Sequence, residues 1–256
     1  MLDLHAHVLP GIDDGPADMA GAVEMARAAA ADGVRVLAAT PHLRRDFPGV
    51  VPGELAGRVR ALSETLAAAG VGIEIVQGGE VDVYWAHAAS PDDLACGSFG
   101  GRGTDLLLET PYGELPTVFE DLLFQLALRG QRLLLAHPER SPTFRRDPRR
   151  LAALVDRGVL VQVTASALAG GRRSRSRRFA ADLIREGRAH VIASDSHGAG
   201  LSRPPLSAGV AAAERIDPLR ARWMVEDAPA AILAGDPLPP APPRRMRRRA
   251  PWRRPD

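Results

Sequence analysis

The sequence predicts an α/β protein in which seven parallel strands, each followed by a helix, close into a (β/α)7 barrel. Three observations support this prediction. Short apolar segments alternate with amphipathic helical segments through most of the 256 residues. The strand segments are continuously apolar, as in parallel sheets covered on both faces. Glycine, which ends helices in the left-handed conformation, follows several helical segments. Seven such units favour a closed barrel over an open doubly wound sheet.

The predicted strands are short runs of mostly aliphatic residues between turn residues. In chain order they cover residues 2–5, 34–39, 73–78, 105–109, 132–136, 159–163 and 190–193. The helices between them carry apolar residues at helical spacing. They are predicted over residues 16–31, 52–69, 115–129, 148–157 and 174–186, with closing helices over 208–216, 219–225 and 228–233. The barrel domain therefore spans residues 1–235.

Two segments concentrate arginine, which supplies every basic residue because the chain contains no lysine. Residues 236–256 are rich in proline and hold seven arginines against two aspartates, so we predict an extended or disordered tail. The whole chain carries +2 and this tail +5, which leaves −3 on the barrel domain. Nucleic acid is expected to bind only non-specifically, through the tail. Residues 172–178 are interpreted as a solvated helix face near the barrel mouth, with attraction of anions as a second interpretation.

Composition excludes several classes of protein. The single cysteine, Cys96, cannot form an intramolecular disulfide, and the 45% apolar content supports a folded core. The start lacks the basic and apolar regions of a signal peptide, and no apolar run is long enough for a membrane span. We therefore expect a cytoplasmic protein.

Polar side chains follow the predicted strands. His5 and His7 stand two residues apart on the first strand, so both project to the same side. Five of the seven histidines fall at strand ends, whereas His87 and His190 do not. Functional groups of β/α barrels gather at these carboxyl ends. The candidate metal ligands are His5, His7, Asp14, His42, Glu80, Glu109, His137, Asp195 and His197.

Nine nitrogen and oxygen donors exceed the need of one ion. Three divalent ions with bridging carboxylates would use them all, and this donor set suits Mn, with Fe or Zn as alternatives. A multinuclear site of this kind favours hydrolysis at phosphorus, because one ion activates a water and the others neutralise phosphoryl oxygens. Any single member, such as His42 or Glu80, can be an ordinary buried residue, but that interpretation does not explain the whole set.

Two arginines are candidates for holding a phosphate through paired hydrogen bonds. Arg140 comes three residues after His137, and Arg203 follows the last strand end. Because arginine is abundant here, both can also be ordinary surface residues; Arg140 is the stronger candidate. Asp195 is counted with these arginines among the catalytic residues, in addition to its place among the ligands.

A family resemblance rests on six short blocks. They are Asp3-x-His5-x-His7 with Asp13-Asp14-Gly15, Thr40-Pro41-His42, Gly79-Glu80, Glu109-x-Pro111, His137-Pro138-Glu139-Arg140 and Ala193-Ser194-Asp195-x-His197. In combination they resemble the PHP (polymerase and histidinol phosphatase) superfamily. Within it, the chain is most similar to the bacterial protein-tyrosine phosphatases of capsular and exopolysaccharide loci, the CpsB/YwqE type. The resemblance covers residues 1 to about 235, and the arginine-rich tail lies outside it.

The resemblance implies a distorted seven-stranded barrel of the PHP type with three divalent metal ions, Mn by preference. The first ion would be held by His5, His7, Glu80 and Asp195, the second by Glu80, Glu109 and His137, and the third by Asp14, His42 and His197. Asp13 competes with Asp14 for the last role. Arg140 and Arg203 would bind phosphate. A metal-bound hydroxide would hydrolyse phosphotyrosine, and the protein substrate would be a bacterial tyrosine kinase that regulates capsular or exopolysaccharide synthesis.

Other functions stay open on the sequence. Cys96 and Arg102 fit the C-x5-R pattern of cysteine phosphatases, but we interpret this segment as a loop. A metal-dependent amidohydrolase also begins with H-x-H; the subtype that bridges two metals with a carboxylated lysine is excluded, while lysine-free ones are not. Another PHP phosphoesterase, such as a histidinol-phosphate phosphatase or a nuclease, would have a similar metal site. A non-enzymatic regulatory protein would not need all nine ligands.

Overall fold

The computed structural model describes residues 1–171, 173–198 and 204–243. Its strands are all parallel and cover the seven predicted positions. They are β1 (Leu2–Ala6), β2 (Val36–Ala39), β3 (His42–Leu43), β4 (Glu74–Gln77), β5 (Glu80–Val81), β6 (Asp105–Glu109), β7 (Arg132–Ala136), β8 (Leu160–Thr164) and β9 (Val191–Ala193).

Two predicted strands are each split into two short strands. Thr40–Pro41 separates β2 from β3, and Gly78–Gly79 separates β4 from β5, so the hydrogen-bonded order runs β1-β2-β4 and then β3-β5-β6-β7-β8-β9. Proline has no N–H to give to a ladder. At Gly79 a Cβ would lie 2.5 Å from Leu43 Cδ1, so the close approach of the two broken strands requires glycine.

The ring closes between the first and last strands. The Asp195 N–H donates to His5 O at 2.8 Å, and the His7 N–H donates to Ser196 O at 2.8 Å. Ala6 and Ser196 form a parallel bridge. With β2/β3 and β4/β5 each counted as one position, seven strand positions surround the core. The predicted fold class is confirmed, and the two breaks are its distortion.

Helices cover the outside of the ring. They are α1 (Met19–Ala31), α2 (Leu55–Ala68), α3 (Val83–Ala88), α4 (Pro91–Gly97), α5 (Phe119–Leu128), α6 (Pro142–Arg146), α7 (Pro148–Asp156), α8 (Ala165–Ala169), α9 (Arg175–Arg185), α10 (Leu206–Glu214), α11 (Pro218–Trp223) and α12 (Asp227–Ala234). The first starts three residues later than predicted, because the Asp18 side chain accepts a hydrogen bond from the Gly21 N–H and caps the helix there. Four short helices, α3, α4, α6 and α8, were not among the predicted elements.

Two apolar layers make the core. Inside the ring, Leu4, Leu107, Leu134 and Phe99 pack with other small and aliphatic residues. A larger layer lies between the outer faces of the strands and the helices. Along β6, Leu107 fills the interior and Glu109 stands two residues further toward the carboxyl end, since side chains alternate along a strand. The polar site therefore lies directly above an apolar plug.

The described part of the predicted tail lies against the barrel. Residues 236–243 contain neither helix nor strand. The Arg220 side chain donates to Pro242 O at 2.9 Å, the Arg132 guanidinium bonds Asp236 O, and Leu238 packs on the core. The remaining tail residues and Arg172 lie outside the described residues. Among the described residues, no helix is long and apolar enough to cross a membrane.

Candidate metal centre

The nine predicted ligands meet at the carboxyl ends of the strands. Seven of their side chains form three groups, and within each group the donor atoms lie within 4.8 Å of one another. The groups are His5, His7 and Glu80; His42, Glu80 and Glu109; and His7, Asp14, His42 and His197. His137 and Asp195 adjoin these groups through the contacts given below. Arg203 lies outside the described residues.

A distortion of β1 brings its two histidines into the ring. The pairing register of β1 with β2 shifts between Asp3 and Ala6. Bulges of this kind redirect side chains near functional sites. His5 Nε2 lies 3.4 Å from Glu80 Oε2 and 3.4 Å from Asp195 Oδ1. His7 Nε2 lies 3.4 Å from the same Glu80 oxygen. These four residues are those expected around the first ion.

Glu80 is shared between groups because it stands at the centre of the site. Its Oε1 accepts a hydrogen bond from His137 Nε2 at 2.8 Å, and its Oε2 lies 3.1 Å from His42 Nδ1. Glu109 joins Glu80 and His42 in one group. The group around Glu80 thus contains His42 beside Glu109, whereas His137, expected in this set, contacts Glu80.

The third set lies at the solvent side. Asp14 Oδ1 is 3.3 Å from His197 Nε2 and 3.6 Å from His42 Nε2. The Asp14 side chain is 51% exposed, whereas that of Asp13 is fully buried. Asp13 accepts hydrogen bonds from His7 Nδ1 at 2.8 Å and from the N–H groups of Gly15 and His42. Asp13 therefore positions the loop and His7, while Asp14 offers an oxygen to the other histidines.

Hydrogen bonds fix the tautomers of His5 and His7. Gln162 Oε1 accepts the His137 N–H at 3.2 Å and lies 3.2 Å from His5 Nδ1, so this Nδ1 carries the proton. Asp13 does the same for His7. Both imidazoles consequently turn Nε2 toward Glu80, which leaves this nitrogen available to a metal, as in sites where histidines bind metals.

Two site residues have a left-handed backbone. Among the described residues other than glycine, positive φ occurs at His137 (36°) and Asp195 (53°). This conformation costs about 1–2 kcal/mol at residues with a Cβ. Each residue follows the end of a strand. Ala136, directly before His137, and Ala193, two residues before Asp195, both belong to the core inside the ring. Local strain is thus retained where it turns a donor side chain into the site.

The site concentrates charge in a buried space. Although burial disfavours ionised groups, the carboxylates of Asp13 and Glu80 raise the pKa of His7 to about 10. Burial alone would raise the pKa of Glu80. The neighbouring His5, His137 and His42 have the larger effect and hold this pKa well below its usual range. Burial and the nearby Glu80 raise the pKa of Glu109. The carboxylates thus attract positive charge strongly, and divalent cations can supply it in place of protons.

Two arginines and one aromatic residue lie beside the candidate ligands, and of these Arg44 and Tyr112 were not predicted. Arg44 NH1 donates to both carboxylate oxygens of Glu109, at 2.9 and 3.0 Å. Its position two residues after His42, hence on the same side of the strand, could have indicated it. Arg140, as expected, faces the centre, where its guanidinium pairs with Asp195. Tyr112, 56% exposed, stacks on His137 with ring centroids 5.7 Å apart and forms an apolar wall beside Arg140.

Comparison with known proteins shows the family of this chain. The family model for capsular polysaccharide synthesis proteins, CpsB/CapC, matches residues 1–233. The chain belongs to the CpsB/CapC family. The resemblance found in the sequence is therefore confirmed, and the match ends near the predicted boundary at residue 235.

Relatives of this CpsB/CapC protein carry names that state an activity. Tyrosine-protein phosphatase YwqE of Bacillus subtilis is 32% identical over 199 residues, which are 77% of each chain. Putative tyrosine-protein phosphatase CapC of Staphylococcus aureus is 28% identical over 198 residues, again 77% of each. A crystal structure from work on YwqE and on CpsB of Streptococcus pneumoniae, described as metal-dependent tyrosine phosphatases, covers 97% of this chain and 100% of its own with a TM-score of 0.84 at 28% identity.

The residues of this family member fit a divalent metal. The donors are imidazole nitrogens and carboxylate oxygens, the combination that Mn, Fe and Zn take in proteins. The buried His137 Nδ1 has no hydrogen-bond partner among the described residues, although buried polar atoms normally have one.

A cysteine-based site does not form in this CpsB/CapC protein. Cys96 lies in the last turn of α4, so the interpretation of this segment as a loop was wrong. Arg102 donates to Ile232 O at 2.8 Å, at the amino ends of the strands and away from the metal centre. A phosphate-binding thiolate needs the start of a helix, where N–H groups point outward.

Proposed function

We propose that this chain is a metal-dependent protein-tyrosine phosphatase, a hydrolase of phosphoric monoesters. The observation that carries the proposal is the convergence of His, Asp and Glu donors around Glu80, with Arg140 at its edge. The family membership and the names of the relatives support it. The aromatic wall of Tyr112 beside this centre favours an aryl phosphate.

We propose three divalent ions, Mn by preference. His5, His7, Glu80 and Asp195 would hold the first, Glu80, Glu109 and His137 the second, and Asp14, His42 and His197 the third. Bound ions would supply an activated water and neutralise the phosphoryl oxygens.

The protein's own groups bind and orient the substrate. Arg140 has its guanidinium fixed by Asp195 and can donate hydrogen bonds to a phosphate oxygen through its remaining N–H groups. Asp195 thereby has two roles, as a ligand and as the group that positions Arg140. Asp13 and Gln162 keep the His7 and His5 rings oriented. We assign Arg203 as a second phosphate-binding residue on the sequence pattern alone.

We infer a tyrosine-phosphorylated protein as the substrate, and a bacterial tyrosine kinase that controls capsular or exopolysaccharide synthesis as the natural one. The family description in capsular polysaccharide synthesis supports this inference.

The deciding experiment measures phosphate release from a phosphotyrosine peptide and from histidinol phosphate, and nucleotide release from single-stranded DNA, each with Mn and after chelation. We expect Mn-dependent hydrolysis of the phosphotyrosine peptide at the highest kcat/KM. Preference for histidinol phosphate or DNA would assign the chain to another PHP phosphoesterase. No hydrolysis of any phosphoester by the metal-loaded protein would refute the proposal. The Cys96→Ser variant should keep full activity.

A variant pair tests the assignment of the two aspartates. Asp14→Ala should lose about one metal ion per chain and most of the activity while the protein keeps its stability, since the Asp14 side chain is half exposed and bonds no backbone group among the described residues. Asp13→Ala should lower the free energy of unfolding by about 1–3 kcal/mol, because three buried donors lose their acceptor. Metal content is measured by elemental analysis and stability by urea unfolding. Normal metal content in Asp14→Ala would contradict the assignment.

A further inference from the structure

A groove lined by arginines lies next to the backbone turn that carries Arg140. It lies between α6 and α9, encloses about 530 Å³, and is lined by Arg145, Arg146, Arg175 and Arg178. We call it the arginine groove. A single acidic residue, Asp182, is among its described lining residues, and that carboxylate is 2.7 Å from Arg185. The groove is therefore strongly positive on a barrel domain whose sequence is net negative.

Two of the four arginines have no partner within the described part of the chain. Arg175 and Arg178 are exposed, and no ion pair or side-chain hydrogen bond involves them. Arg146 pairs with the carboxylate of Glu114. Like charges crowded on one face repel each other, which a bound anionic ligand relieves.

Hydrogen bonds join the groove to the catalytic edge. Arg145 NH1 donates to the carbonyl oxygens of Glu139, at 3.0 Å, and Arg140, at 2.6 Å, and lies 3.3 Å from Ser176 Oγ. Arg145 thus links the α6 side of the groove, its α9 side and the backbone of the arginine that faces the metal centre. The groove therefore borders the turn whose Arg140 side chain pairs with Asp195 in the metal centre.

We propose that the arginine groove binds an acidic segment of the phosphoprotein substrate, flanking the phosphotyrosine. This inference rests on the proposed phosphatase function, since it assigns that site's substrate class. In a protein substrate, the residues that flank the phosphotyrosine can supply the carboxylates of aspartate and glutamate. Arginine pairs with a carboxylate through two parallel hydrogen bonds. A single-stranded nucleic acid fits this groove less well, because proteins that bind single strands present exposed aromatic rings on which the bases stack. The aromatic residue among the described groove residues, Phe179, is buried.

The test compares two charge-reversed proteins. The groove variant is Arg175→Glu with Arg178→Glu. The matched control is Arg27→Glu with Arg60→Glu, which makes the same charge change at exposed helical positions of α1 and α2. Both replace one good helix former with another, so both should fold.

Binding is measured first, without turnover, by fluorescence anisotropy. The probe is an unphosphorylated peptide in which glutamates flank the tyrosine. The comparison peptide has glutamines at the same positions. We expect the wild type to bind the acidic peptide at least about tenfold more tightly than the glutamine peptide, with salt weakening the difference. The groove variant should lose at least about tenfold in affinity and the control less than about twofold. Equal losses in both variants, or none, would overturn the proposal.

Turnover gives the second measurement. The groove variant should lower kcat/KM for the acidic phosphotyrosine peptide through KM, and leave hydrolysis of p-nitrophenyl phosphate and of the glutamine-flanked phosphopeptide unchanged. A fall for all three substrates would overturn the proposal. If the wild type hydrolyses none of the three substrates, the proposed phosphatase function is refuted. The anisotropy experiment still tests whether the arginine groove binds an acidic peptide. Loss of single-stranded DNA binding by the groove variant, with acidic-peptide binding intact, would assign the groove to nucleic acid and overturn the proposal.

Discussion

His190, which lies outside the metal centre, is expected to make the stability of the fold depend on pH. His190 Nδ1 accepts the Val161 N–H at 3.0 Å, so the ring must be unprotonated on that nitrogen. Burial and the positive charge of Arg220 lower the pKa of His190 to about 4. The unfolded chain binds this proton near pH 6.5. Between these two values the unfolded state holds more protons, so stability falls as the pH falls.

We expect His190 to lower the free energy of unfolding by roughly 2–3 kcal/mol as the pH falls from 7 to 4.5, and to have no effect above pH 7. The His190→Asn variant should therefore lose less stability on acidification than the wild type. Urea unfolding in chelator at both pH values measures this, with the exposed His87→Asn as control. The same loss in His190→Asn as in the wild type would show that another group carries the acid response.

The candidate ligands were predictable residue by residue because strand ends fix where they meet. All nine gathered although several element boundaries were misjudged, since the carboxyl ends of parallel strands share one edge. Asp13 and Asp14 could not be distinguished, because their difference depends on which one accepts the N–H groups of Gly15 and His42. Arg44 was missed although it stands two residues after His42, because among 33 arginines this spacing alone did not separate it from ordinary surface arginines.

At the scale of elements, the tightest helix contact is between α8 and α10. A Cβ on Gly209 would lie 2.4 Å from Ala165 Cα and 2.6 Å from its Cβ. Gly209→Ala should therefore destabilise the protein by about 1–3 kcal/mol, even though alanine is the better helix former. Gly57 in α2 has no atom within 4 Å of such a Cβ, so Gly57→Ala should stabilise by about 0.5–1 kcal/mol. Denaturant midpoints compare the two; a stabilised Gly209→Ala protein would contradict the contact.

The elements that the sequence did not reveal are the shortest ones. A helix of five residues, such as α6 or α8, is too short for apolar periodicity to appear. Their starts are nonetheless visible as caps, since the Ser141 and Thr164 side chains accept hydrogen bonds from the helix N–H groups. The two strand breaks depend on tertiary approach at Gly79, which local pattern does not encode.

At the scale of the whole molecule, the boundary predicted at residue 235 is tested by truncation. Ending the chain after Gly235 removes the Pro242 carbonyl from the buried Arg220 and Leu238 from the core. We expect a loss of about 1–3 kcal/mol in unfolding free energy. Ending it after Pro243 keeps these contacts and should leave stability unchanged. Equal stability of both truncated proteins by urea unfolding would place the boundary at 235.

The closure of the ring also dictates when the metal centre can exist during synthesis. The Ser194 N–H donates to Asp3 Oδ1 across 191 residues of chain, and the site draws His5 from the first strand and Asp195 from the last. At ~5–20 residues per second, a ribosome needs roughly 10–40 s to make that stretch. Until then β1 has no partner on one edge, and Asp195 is missing from the residues around Glu80. We therefore expect the full set of candidate ligands to form only after the chain has been made past Asp195.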